Sequence, residues 1–108
     1  MLAASWFAMC GIAVSWPIEP ARYDLLADMP GGLRRVQVKT TTVRVGDTWK
    51  VYLATSTGGR RVYEPVEIDL FFIVDGALNT YLIPLEAVRD LQAIHLSRYA
   101  KFLLRRAW

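Results

Sequence analysis

A chain of 108 residues is close to the commonest domain size and predicts one compact domain, residues 1–108, that can bury a core without disulfides. Hydrophobic residues make up 54% of the sequence, which excludes a disordered polar segment and fits a well-packed globule. The formal net charge of +3 suits an anionic partner, although mild basicity is common among proteins that never bind nucleic acid.

Single cysteine and histidine residues, Cys10 and His95, exclude an internal disulfide and a zinc site of the Cys/His type. We therefore expect a reducing, cytoplasmic setting. The first sixteen residues are apolar, but a membrane span needs roughly 20 apolar residues. Because they also lack the basic start of a signal peptide, they are predicted to be core and not a membrane segment.

The first half of the chain predicts one helix followed by strands. The stretch from Leu2 to Met9 is apolar and free of Gly and Pro, which predicts a short buried helix ended by Gly11. A hairpin turn is predicted at residues 29–32, where Pro and Gly cluster. The predicted strands are Ile12–Trp16, Tyr23–Asp28, Leu33–Thr42 and Val43–Ala54.

The second half predicts strands followed by helices. Ile68–Val74 is a nearly continuous apolar run, typical of a central strand buried on both faces. Another strand is predicted at Thr80–Ile83, and helical spacing appears at Leu85–Leu91 and Ser97–Arg106. The sequence therefore predicts an α/β (α+β) fold, a mixed sheet of about five or six strands flanked by helices.

The predicted hairpin brings polar residues of two strands together. Side chains alternate along a strand, so Gln37 and Lys39 share one face, and the hairpin brings Asp24 alongside them. A hard cation such as Mg²⁺ or Mn²⁺ prefers oxygen ligands, here the Asp24 carboxylate, the Gln37 amide oxygen and a main-chain carbonyl at Val38. The Lys39 ammonium, on the same face, could orient a water or stabilise charge on a phosphate.

A simpler interpretation competes with this one. Alternating polar residues are the rule on the solvated face of an antiparallel strand, and Asp24 could be an ordinary polar residue near a turn. The residues alone leave both interpretations open.

Arginines occur as adjacent pairs in the sequence. Clustered guanidinium groups are typical of proteins that contact phosphates. The candidate DNA contacts of this kind are Arg34, Arg35, Arg60 and Arg61.

The order and spacing of these residues resemble the homing endonucleases of the group I intron type, within the PD-(D/E)XK nuclease superfamily. The resemblance implies a restriction-endonuclease-like mixed sheet flanked by helices, a double-stranded DNA substrate and Mg²⁺-assisted hydrolysis. It also implies roles: Asp24 as the metal-binding aspartate, Gln37 at a position usually held by Asp or Glu, and Lys39 as the motif lysine. The matching residues, within a span from about Ala3 to Tyr99, are Pro17, Tyr23–Leu25, Arg35–Thr41, Tyr63, Ile68–Phe71 and Tyr81–Pro84.

The resemblance extends to less defined positions. Thr40 and Thr41, just past the lysine, are expected to face the DNA backbone, and Asp69 and Tyr63 match recurrent positions without an assigned role. Relatives usually carry a glutamate on the first helix, but no acidic residue precedes Glu19 here. Glu19 is a candidate replacement, against the simpler interpretation as a solvated loop residue.

The sequence thus favours a Mg²⁺-dependent DNA endonuclease of homing, phage or restriction-like type, acting as a homodimer or homotetramer because two strands must be contacted. Two alternatives stay open. One is a degenerate nuclease fold that binds DNA or protein without cutting. The other is a structural oligomerisation domain.

Overall fold

The computed structural model describes residues 2–54 and 61–105 and contains two β-sheets with short helices packed on them. Helix α1 spans Leu2–Met9, helix α2 spans Leu85–Val88, and a 3₁₀ segment covers Leu96–Phe102. The strands are β1 (Val14–Ser15), β2 (Leu25–Met29), β3 (Gly32–Thr40), β4 (Val43–Val45), β5 (Thr48–Tyr52), β6 (Leu70–Val74), β7 (Thr80–Pro84) and β8 (Ala93–His95).

The larger sheet is mixed and has five strands in the order β1-β2-β3-β6-β7. A two-residue turn joins β2 to β3, since Met29 pairs with Gly32, and this confirms the predicted hairpin. Strands β3 and β6 run parallel with Val36 opposite Leu70, and the other neighbours in the sheet are antiparallel. The nine-residue strand β3 is therefore central, with the hairpin on one side and the apolar strand β6 on the other.

The smaller sheet has three antiparallel strands in the order β4-β5-β8. The prediction of one continuous strand over Val43–Ala54 was wrong, because the chain reverses at Gly46 and Asp47 into a second hairpin. Gly46 has φ +62°, a left-handed conformation that glycine adopts at little cost. The hairpin pairs with β8, a three-residue strand that the sequence did not indicate.

Two apolar clusters cover opposite faces of the larger sheet. Helix α1 packs Phe7 and Trp6 against Phe72 of β6 on one face, with ring centroids 5.8 and 5.9 Å apart. On the other face, Phe71 and Ile73 pack with the smaller sheet, α2 and the 3₁₀ segment. Alternation along β6 therefore explains why this strand is apolar throughout: both of its faces are buried.

Other predicted elements are confirmed in part. Helix α1 has the predicted bounds, and Gly11 follows it with φ +76°. The predicted strand at Ile12–Trp16 shrinks to the two residues of β1, and Trp16 is exposed. The predicted C-terminal helix is a 3₁₀ segment with a kink at Tyr99. Within residues 2–54 and 61–105, no helix is long and apolar enough to cross a membrane.

Candidate active site

The site forms where the β2–β3 hairpin opens, at the end away from its turn. Asp24 directly precedes β2, whose Leu25 pairs with Val36, and its contacts with Val36 and Val38 place it beside this stretch of β3. Asp24 and Gln37 are both half-buried and line one cavity.

The Asp24 carboxylate completes the edge of β3. Pairing with β2 ends at Leu25, so the Val38 N–H has no main-chain partner there and instead donates to Asp24 Oδ2 at 2.8 Å. The Asp24 N–H donates to the Val36 carbonyl at 2.8 Å, which fixes the backbone on the same edge. The hydrogen bond to Oδ2 thereby fixes the orientation of the Asp24 carboxylate against β3.

The Val38 carbonyl points toward the same edge. In an extended strand the N–H and C=O of one residue are directed to the same side, and the Val38 N–H faces Asp24. The Gln37 side-chain Nε2 lies 3.5 Å from this carbonyl oxygen, at the limit of a hydrogen bond. The Asp24 carboxylate and the Gln37 amide therefore both lie against Val38 at one end of the hairpin.

Lys39 lies beside the cavity on the face predicted from the sequence. Its Nζ is 5.2 Å from the ring centroid of Tyr63, within the range of a cation–π contact. Tyr63 is buried and packs edge-on against Phe71 of β6, with centroids 5.6 Å apart. The ring is thus a fixed support for the lysine ammonium.

The cavity has a volume of about 570 Å³ and a basic wall. Arg22 and Arg61 both approach Glu67 Oε2, each at 2.8 Å. One carboxylate faces two guanidinium groups, so this wall keeps a net positive charge. Among the described residues, the cavity is lined by Pro20, Ala21, Arg22, Asp24, Gln37, Arg61 and Tyr63.

The donor set fits a hard cation that keeps part of its water shell. Within the described ranges, no three His, Cys, Asp or Glu residues cluster as metal ligands. Asp24, Gln37 and Val38 instead offer one charged and two neutral oxygens, the chemistry that Mg²⁺ accepts when water fills its other positions. Soft metals prefer thiolate or imidazole ligands and find neither here.

The paired arginines of β3 have different surroundings, because neighbours on a strand face opposite ways. Arg35 lies on the Gln37 face, where its Nε donates to Asp69 Oδ2 at 3.0 Å and its other donors reach Asp69 Oδ1 and the carbonyls of Pro65 and Val66. This hydrogen bonding lowers the pKa of Asp69 and raises that of Arg35. Arg34, on the opposite face, donates to carbonyls of its own turn.

These contacts bear on the predicted DNA contacts. Most of the N–H donors of the Arg35 side chain bond to the segment that precedes β6 and so hold it to β3. This favours a structural role for Arg35. Thr41 is buried and its hydroxyl donates to the Lys50 carbonyl, so it does not face outward as expected. Thr40 is exposed, and Arg60 lies outside the described residues.

Glu19 is exposed in the loop between β1 and β2. The residues of α1 include no acid, in agreement with the departure seen in the sequence. Pro20, next to Glu19, lines the cavity, and this places the loop but not its carboxylate at the site.

Sequence reasoning missed Arg22 and Glu67. Arg22 stands alone and not in a pair, although its position two residues before Asp24 was a usable signal. Glu67 lies in the turn that precedes β6, and only the tertiary structure brings it to the cavity wall.

Comparison with known proteins identifies the family and the fold of the chain. A model of the PD-(D/E)XK endonuclease family matches residues 3–101. Among solved structures, a bacterial homing endonuclease, I-Ssp6803I, is similar with a TM-score of 0.75 and 22% identity, over 87% of this chain and 70% of that one. No curated protein is a significant match. The mixed-sheet fold and the resemblance seen in the residues are thus confirmed, and the chain belongs to the PD-(D/E)XK endonuclease family.

Proposed function

We propose that this protein is a Mg²⁺-dependent endonuclease that hydrolyses phosphodiester bonds of double-stranded DNA, of homing, phage or restriction-like type. The observation that carries the proposal is that Asp24 and Gln37 line one cavity with a basic wall, while the Asp24 carboxylate is held by the Val38 N–H on the edge of β3. Such a cavity suits a cation on one side and a phosphate on the other.

The residues divide the work by charge. Asp24, Gln37 and Val38 would hold the cation, Mg²⁺ or Mn²⁺, which supplies Lewis acidity and an activated water when bound. Asp24 Oδ2 is tied to the Val38 N–H, so the carboxylate is oriented before any cation arrives. Lys39, supported by the Tyr63 ring, places its ammonium where it can orient the water or stabilise charge growing on the scissile phosphate.

Phosphate contacts fix the DNA over the cavity. Arg61 is the predicted arginine that the geometry favours most, because its side chain is 62% exposed at the cavity wall. Arg34 and Thr40 remain candidates on the opposite face of β3, and Arg60 precedes Arg61 directly. Since cutting both strands needs two such cavities, we propose a symmetric dimer or tetramer in an intracellular setting.

Plasmid cleavage across a Mg²⁺ titration tests the proposal. We expect cleavage by the wild type that depends on Mg²⁺ or Mn²⁺ and is abolished by chelation. Asp24→Asn should lower the rate by about a hundredfold or more and weaken the response to Mg²⁺, because it removes the charged member of the three proposed ligands.

Asp28→Asn is the matched control, since Asp28 lies on β2, the strand that Asp24 directly precedes, but is exposed near the turn. It should cleave like the wild type. Equal cleavage by all three proteins would reject the site, and wild-type protein without cleavage in either metal would reject the activity.

A second candidate function is DNA binding without cleavage. It is favoured by one observation: Asp24 is the only carboxylate among the described residues that line the cavity, and α1 carries no acid. Retarded migration of DNA without any cleavage, in either metal, would support this candidate over the first.

A further inference from the structure

Arg22 lies over an aromatic ring at the cavity wall. Its guanidinium carbon lies 4.1 Å from the ring centroid of Tyr63, the same ring that supports Lys39. The N–H donors of a guanidinium lie in its own plane, so a guanidinium that lies over a ring can still donate to a carboxylate or phosphate at its outer edge. The side chain is 24% exposed and lines the cavity, while its two terminal nitrogens are themselves buried.

Glu67 fixes this arginine from a second direction. Its Oε1 accepts the Glu64 N–H at 3.1 Å, which locks the carboxylate to the turn before β6. Its Oε2 lies 2.8 Å from Arg22 Nη1 and also accepts from Arg61 Nη2. Because the Glu67 carboxylate is held by a backbone N–H and is only 15% exposed, it has a fixed position and orients both arginines.

Within residues 2–54 and 61–105, the two terminal nitrogens of Arg22 nevertheless lack a well-formed hydrogen bond. Both are buried: Nη1 makes its ion pair with Glu67 without hydrogen-bond geometry, and Nη2 has no acceptor among these residues. Buried donors of a charged group are almost always satisfied in folded proteins. The cavity beside Arg22 is where an acceptor can enter, and a phosphate oxygen matches both the charge and the fork of donors.

We propose that Arg22 binds a non-bridging oxygen of a DNA phosphate in this cavity, with Tyr63 and Glu67 as its positioning residues. The inference rests on the proposed function and adds to it the residue that seats the phosphate. Arg22 precedes Asp24 by two positions, so the same short segment presents the phosphate-binding group and the cation-binding group.

The test compares Arg22→Gln with Arg44→Gln. Arg44 is also an arginine over an aromatic ring, 4.7 Å from the centroid of Trp49, but it lies on β4 of the smaller sheet and does not line the cavity. Binding of each protein to a random-sequence DNA duplex is measured in EDTA over a range of salt concentrations. Both variants lose one positive charge, so general electrostatics affect them equally.

We expect Arg22→Gln to weaken binding by about tenfold, the scale of one charge-assisted contact, and to reduce the log-log salt slope by about 0.9. Arg44→Gln should keep the wild-type slope. If the two variants behave alike while the wild type binds and cleaves, the Arg22 assignment is overturned and the proposed function stands. If the wild type neither binds nor cleaves DNA, both fall.

Glu67→Gln supplies a second test, because the two roles of Glu67 predict opposite changes in DNA affinity. Removing a negative charge near DNA should strengthen binding if Glu67 merely repels phosphates. If it positions Arg22, Glu67→Gln should weaken binding, and the effect should be clearly smaller in the Arg22→Gln background, where only the part that acts through Arg61 is left. Stronger binding, or two fully additive effects, would overturn the positioning role.

Discussion

Lys39 and Lys50 each lie over a tyrosine ring. Comparing variants of the two lysines distinguishes a catalytic role of Lys39 from a structural one. Lys39 Nζ lies 5.2 Å from Tyr63 beside the cavity, whereas Lys50 Nζ lies 5.0 Å from Tyr52 on the smaller sheet. Lys39→Ala should reduce the rate of plasmid cleavage by about a hundredfold or more while DNA binding and the melting temperature change little.

Lys50→Ala loses an equivalent cation–π contact and should cleave at the wild-type rate. The comparison uses single-turnover cleavage, with a thermal melt of each protein. A similar loss of rate in both variants would show that Lys39 contributes only through the sheet and has no role at the phosphate.

How much of the site could be read from the sequence depends on how far apart its residues lie along the chain. The shared face of Gln37 and Lys39 follows from strand alternation, and the hairpin turn at residues 30–31 sets the register that brings Asp24 to the same end of β3. The partnership of Arg22 with Glu67 could not be predicted in this way. It depends on a long-range contact that neither strand period nor turn chemistry encodes.

Strand β3 is tied to the chain entering β6 by one ion pair with a defined pH dependence. Hydrogen bonds from Arg35 lower the pKa of Asp69 in the folded protein, while an unfolded aspartate titrates near 3.9. As the pH falls, the unfolded chain therefore takes up this proton first. The stabilisation is complete above about pH 4 and is lost as the pH falls through the lower pKa of the folded state.

Asp69→Asn should thus destabilise the protein at neutral pH, and the difference from the wild type should shrink at about pH 3 and below. The free energy of unfolding, measured with urea at both pH values, checks this. Glu86→Gln is the control, because its contact with Arg89 is 3.9 Å long and exposed. A difference for Asp69→Asn that is independent of pH would mean that the lost hydrogen bonds, and not the charge, account for it.

Elements with local signals were predicted well, and those set by distant pairing were not. Helix α1 matched because apolar residues run without interruption up to the left-handed Gly11. The break at Gly46 was missed, although Gly followed by Asp between alternating stretches is typical of a two-residue hairpin turn. Strand β8 exists through its pairing with β5, as Ile94 lies opposite Val51, and three residues alone give no periodic signal.

At the scale of the whole molecule, the larger sheet has one face covered by apolar residues of α1 and another face on which the cavity opens. Helix α1 and the cluster around Phe72 cover one side, and the cavity opens at the other, beside the cluster around Phe71. Because β3 and β6 pass between both clusters, each side chain of these strands serves one side only. Substitutions under α1 therefore act on the site through stability and not through direct contact.

The two halves of the site differ in how much chain must be closed to form them. Asp24 and Val38 are 14 residues apart and meet within one hairpin, whereas Arg35 and Asp69 are 34 apart and meet only when β6 docks parallel to β3. Loop-closure entropy grows with the length of chain enclosed, and non-local pairing is slow. We therefore expect the cation-binding end to be assembled in the folding transition state before the phosphate-binding wall exists.

In stopped-flow experiments, Leu26→Ala on β2 should mainly slow refolding, and Ile68→Val before β6 should mainly speed unfolding. The reverse distribution would mean that the parallel pair is the nucleus and that the hairpin closes onto it.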